Sequence, residues 1–116
     1  MAMLLDGLLL LTALLHVAFM LLEMLLWSRP IGRRVFGLSV ERASMTRTLA
    51  ANQGLYNGFL AAGLIWAWWS GTFSLQVFFL CCVLLAGLFG ALTVSRTIFW
   101  VQGFPALLAL LVLQLQ

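Results

Sequence analysis

The sequence predicts an all-α integral membrane protein, an up-and-down bundle of four transmembrane helices, and three observations lead there. Hydrophobic residues make up 65% of the 116-residue chain and charged residues 8%, with a mean hydropathy of +1.15. Soluble domains carry about 25% charged residues, so polar surface could not cover a chain this apolar. Four apolar stretches, each near the roughly 20 residues that cross a bilayer as helix, use up the length. Five arginines (Arg29, Arg33, Arg34, Arg42 and Arg47) fall in one short segment. A short loop rich in Lys and Arg marks the cytoplasmic side.

The first span is expected at 3–27. It has no basic start, carries Asp6 near its beginning, and outruns the 7–15 apolar residues of a secretory signal, so it reads as a mature span. The connection 28–38 contains Pro30, Gly32 and Gly37, which favour turns over helix. Ser39 suits an N-cap, and Glu41 suits the positive first turn of the helix that follows. The membrane part of that helix is expected at 48–69. Residues 70–72 make a tight turn, the third span covers 73–94, and 95–97 turn again. The fourth span, 98–115, is expected to kink at Pro105, which has no backbone N–H to donate. The chain is thus one transmembrane domain, 1–116.

With the arginine belt inside, Arg96 also falls on the cytoplasmic side and both termini lie outside, in the periplasm of a bacterium. Trp27 then anchors the inner interface, and Trp66, Trp68 and Trp69 the outer one. The expected location is the bacterial inner (cytoplasmic) membrane, as a multi-pass protein. The net charge of +3 is accounted for by the belt. It reads as topology and contact with membrane lipids, and excludes nucleic acid as a partner. Cys81 and Cys82 are adjacent, so they diverge by about 100° on a helix and read as packing residues. No residue pattern points to a metal or to a particular cofactor.

Small residues mark where helices approach closely. Gly54, Gly58 and Ala62 form one ridge; Ala86, Gly87, Gly90 and Ala91 form another. These ridges suit contacts within the bundle or between subunits. A bundle this small has limited interior, and a homo-oligomer is expected.

Ionisable groups inside a bilayer cost about 2.5–3.5 kcal/mol on insertion scales and usually face a partner or a cavity. His16 and Glu23, seven residues apart, lie within about 20° of one helix face and about 10 Å apart along the axis. Asn52, Gln53, Tyr56 and Asn57 span an arc of about 140° on the second helix. Gln102 lies on the fourth. Glu23, Asn52, Gln53 and Gln102 share a depth near the cytoplasmic surface, with Arg47 and Arg96 at the rim. Such a set could line a pocket open to the inner leaflet. Arginines suit an anionic group there, and apolar walls a lipophilic tail.

Three functions compete for these residues. In the first, a membrane enzyme or binding protein handles a lipophilic or amphipathic anion. Glu23 is its candidate acid/base residue, while Asn52, Gln53, Tyr56, Asn57, Gln102, His16, Arg47 and Arg96 bind the ligand. The second is a small proton-coupled transporter or oligomeric channel with Glu23 carrying the proton. The third is a structural subunit whose amides only bond helices together. Nothing supports a covalent mechanism: the chain lacks a Ser/His/Asp arrangement and a nucleophilic Cys context.

The runs Leu15-His16, Leu22-Glu23-Met24 and Arg34-Val35-Phe36-Gly37-Leu38 resemble a known family. So do the stretch from Leu49 to Ala61, with its Ala51-Asn52-Gln53-Gly54-Leu55-Tyr56-Asn57, and Gln102-Gly103-Phe104-Pro105-Ala106. That family is domain of unknown function family 1304, small bacterial integral membrane proteins, and the resemblance covers nearly the whole chain. It implies a membrane fold and leaves activity open. A weaker likeness, on Asn52, Tyr56 and Phe59-Leu60, is to the membrane-associated eicosanoid and glutathione metabolism proteins. These are trimers of four-helix subunits with a cytoplasmic-side glutathione site, which implies a thiol-containing small molecule as ligand. Where that family carries arginine and an acid, this chain has Thr48 and Leu55.

Overall fold

A computed structural model describes all 116 residues, and its regular structure is entirely helical. Three long helices are α1 (Ala2–Met24), α3 (Val40–Ser70) and α4 (Phe73–Thr93), and a short α2 (Pro30–Phe36) joins α1 to α3. The last helix, α5 (Arg96–Gln114), contains a π turn at Phe99–Gly103. Helices α1, α4 and α5 are each long and apolar enough to cross a membrane. Helix α3 has 31 residues, but Asn52, Gln53 and Asn57 lower its apolarity below that of the other three.

The connections follow local chemistry, with two departures from expectation. Helix α1 ends at Met24, three residues before the expected limit at Trp27, and the chain unwinds through turns to Arg29. Residues 28–38 were expected as turns, yet Pro30 starts a helix. At the first helical position its missing N–H costs nothing and its fixed φ is already helical. Gly37, with φ 64°, ends α2, its N–H bonded to the Arg33 carbonyl. Glycine takes that left-handed geometry without steric cost. Ser39 then caps α3 as expected, accepting from the Arg42 N–H at 3.1 Å. Between α3 and α4, Gly71 also turns left-handed. The buried Gln76 amide donates to the Ala67 carbonyl at 3.3 Å, adding to the bond that carbonyl already accepts from the Gly71 N–H and so tying the start of α4 to the end of α3.

The chain forms two units. The first comprises Met1–Leu15 and Leu60–Gln116. Its core is apolar: Leu5, Leu9 and Ala13 from α1, Leu64 from α3, Leu80 and Val83 from α4, and Ala106, Ala109, Val112 and Leu113 from α5. Helices α4 and α5 come closest at a glycine pair, where a Cβ on Gly87 would stand 2.7 Å from the Gly103 Cα and N. The π turn lies just before Pro105. Here the Phe104 N–H bonds five residues back, to Phe99, and the wider turn eases the clash of the proline ring with the preceding turn. The kink expected at Pro105 therefore takes the form of a π turn. The second unit, His16–Phe59, contains the end of α1, all of α2 and the start of α3.

Candidate functional site

In the second unit, α3 turns a seam of small residues inward: Ala43, Ala50, Gly54 and Asn57 are all buried. Their spacing of three, four or seven keeps them on one helix face. Two glycines let α3 lie close against α1. A Cβ on Gly54 would fall 2.6 Å from the Met24 Cγ and 3.0 Å from the Glu23 Cβ; one on Gly58 would fall 2.8 Å from the Met20 Sδ. Glycine ridges of this kind allow helix backbones to approach. At that approach the Asn57 Nδ2 donates to the Glu23 Oε1. The acid of α1 therefore meets an amide of α3, with Asn57 only 6% exposed.

Trp27 organises the end of α1. Its indole N–H donates to the Thr46 Oγ1 at 3.0 Å, and that hydroxyl in turn donates to the Arg42 carbonyl at 2.7 Å. The Phe36 ring packs on the indole, with centroids 4.7 Å apart. One side chain thus ties the α1 terminus to both α2 and α3. Below the Cβ position of Gly32 there is no room at all: the Leu26 carbonyl oxygen would lie 1.9 Å away. This glycine, expected to break helix, serves instead as the close-packing point of α2.

Beside Trp27 opens a cleft of about 310 Å³, lined by Met24, Leu25, Trp27, Ser28, Arg29 and Arg47. Its lining brings two arginines and a serine together with a tryptophan, a methionine and a leucine. That combination suits a ligand with an anionic group and an apolar body.

The family model for a protein of unknown function, DUF1304, matches residues 10–114. The chain belongs to the DUF1304 family. It is also similar to the uncharacterized protein YpaA of Lactococcus lactis subsp. lactis (strain IL1403). The two are 37% identical over 106 residues, 88% of this chain and 89% of the relative. No solved structure matches it.

In this DUF1304 chain the nine residues singled out from sequence separate into groups. Glu23 and Asn57 meet directly, and Arg47 lines the cleft. Asn52, Gln53 and Tyr56 are exposed on α3, with Tyr56 edge-on to Phe59. The expected polar arc is thus divided, because Asn57 alone of the four turns onto the buried seam. His16 is fully buried, its ring edge-on to Phe19 at 5.8 Å. Gln102 sits half-buried in the π turn and Arg96 is exposed at the start of α5, both in the first unit. From the sequence Trp27 reads as an interfacial anchor and Arg29 as part of the belt; in the structure both also line the cleft. The signal available was their spacing: both flank the end of a span, where a helix terminus opens to solvent.

Proposed function

We propose that this protein crosses the bacterial inner membrane four times, with the arginine belt cytoplasmic and both termini outside. We further propose that it binds an amphipathic anionic small molecule at the cytoplasmic end of α1. The observation that carries this reading is the cleft itself, where Arg29 and Arg47 share one opening with Trp27, Met24 and Leu25. The guanidiniums engage a phosphate or carboxylate, and the apolar side chains hold the start of a hydrocarbon chain. Arginine supports such recognition because its planar fork offers paired N–H donors to an anion's oxygens. Glu23, next in the chain to the cleft residue Met24, is held by Asn57 and is the acid/base group for any chemistry on the bound molecule.

Equilibrium binding to purified protein in neutral-lipid nanodiscs tests this, using a long-chain alkyl phosphate and the matching uncharged alcohol. The phosphate should bind more tightly than the alcohol. Arg47→Gln or Arg29→Gln should weaken it about tenfold, as expected for losing one charge-assisted contact. Equal binding of phosphate and alcohol, unaffected by either substitution, overturns the reading.

A further inference from the structure

The cleft at the end of α1 gathers two arginines, Arg29 and Arg47, and no acid among its lining residues. Glu23, one residue ahead of Met24, accepts from Asn57, and Glu41 lies in the first turn of α3. Neither lines the cleft. A guanidinium keeps its charge at any working pH, so the site is doubly positive with nothing to balance an ammonium. A free tryptophan face attracts quaternary ammonium groups. Here the Phe36 ring already packs on the Trp27 indole, with centroids 4.7 Å apart, and Thr46 takes its N–H. Size narrows the choice further. At roughly 30 Å³ for each water of the liquid, the 310 Å³ of the cleft takes about ten non-hydrogen atoms. A phosphoglycerol head is of that size; a sugar nucleotide or a pair of acyl chains is much larger.

We infer that the cleft takes the amine-free phosphate head of an inner-leaflet phospholipid, an inference that rests on the ligand site proposed above. Met24 ends the apolar helix α1, and Arg29 opens the arginine belt. With that belt cytoplasmic, the cleft stands at the depth of the inner headgroups, where basic pockets meet anionic lipids. The head enters and the acyl chains stay in the leaflet, running past Leu25. Arg29 and Arg47 bind the phosphate, and the Ser28 hydroxyl bonds a glycerol hydroxyl or a phosphate oxygen. Phosphatidylglycerol and phosphatidic acid share this chemistry. A head that carries an ammonium brings a third cation into a site without a carboxylate. It is disfavoured even where its net charge is negative.

Competition against a fluorescent long-chain alkyl phosphate tests the inference, on full-length protein in phosphatidylcholine nanodiscs. The competitors are phosphatidylglycerol, phosphatidic acid and phosphatidylserine with identical chains, together with water-soluble glycerol 3-phosphate. Phosphatidylglycerol and phosphatidylserine have equal net charge at neutral pH, and only the second carries an ammonium. Phosphatidylglycerol and phosphatidic acid should displace the probe at about tenfold lower mole fraction than phosphatidylserine. Glycerol 3-phosphate should leave the probe bound at the same total concentration, and Arg47→Gln should shrink the preference over phosphatidylserine. Equal displacement by phosphatidylserine and phosphatidylglycerol, with probe binding still dependent on Arg47, overturns this inference and leaves the ligand site standing. Displacement by glycerol 3-phosphate as effective as that by phosphatidylglycerol overturns the leaflet as the source. A probe that wild type and Arg47→Gln bind equally overturns both this inference and the ligand site.

Discussion

The two units of this chain are held together by different means. The first packs hydrocarbon against hydrocarbon: Leu9, Leu64, Leu80 and Val83 are fully buried, with Ala106 and Ala109 set among them. The second has few large buried apolar groups. It relies on Gly54 and Gly58 for close approach and on side-chain hydrogen bonds, Asn57 to Glu23 and Trp27 to Thr46. Inside a membrane, apolar packing earns little from leaving lipid, so tight fit carries the first unit. Hydrogen bonds made away from water carry the second. The difference sets apolar packing in one region against close glycine contacts and hydrogen bonds in the other.

The comparison breaks first at Gly87. Any side chain there meets Gly103 backbone, which cannot move aside cheaply, so Gly87→Leu should cost more than about 3 kcal/mol. Size-exclusion chromatography should find little monodisperse protein. Gly7→Ala, with open space around its Cβ, should leave the profile unchanged.

In the second unit the expected losses are smaller and respond to polarity more than to volume. Asn57→Leu strands the Glu23 carboxyl and should lower stability by about 1–2 kcal/mol. Replacing both partners with Glu23→Leu and Asn57→Leu should recover most of that loss, since an apolar pair leaves nothing unsatisfied. Thermal unfolding of the single and double variants measures this coupling, and strict additivity would count against a direct bond. Smallest of the set, Trp27→Phe keeps the ring contact with Phe36 and removes only the indole N–H. It should cost about 1 kcal/mol in the same assay.

Much of the scaffold is legible in the amino-acid sequence, because apolar runs and caps are local properties. The Ser39 cap and the close approach at Gly54 and Gly58 follow from neighbouring residues, whereas α1 ends short of Trp27. What is not local is harder to read. A helical wheel gives the angle between Asn52 and Asn57 but not which of them meets another helix; that depends on where α1 lies. Helix α2 was hidden for a related reason. Pro30 and Gly32 are helix breakers in an interior but are compatible with a first turn and a tight crossing. The π turn at Phe99–Gly103 has only Pro105 to announce it, and a proline predicts a disturbance without giving its form. The cleft draws on two segments, residues 24–29 and Arg47, which are distant in sequence and meet only in the fold.

Photolabelling most directly tests the claim that the arginine cleft is a ligand site. A diazirine-bearing alkyl phosphate would be bound to the protein in nanodiscs, irradiated, and mapped by peptide mass spectrometry. The account predicts label concentrated on Met24, Leu25 and Trp27, competed away by unlabelled alkyl phosphate and reduced by Arg47→Gln. Label spread evenly over the lipid-facing residues of α4 and α5, and unaffected by competitor, would contradict it.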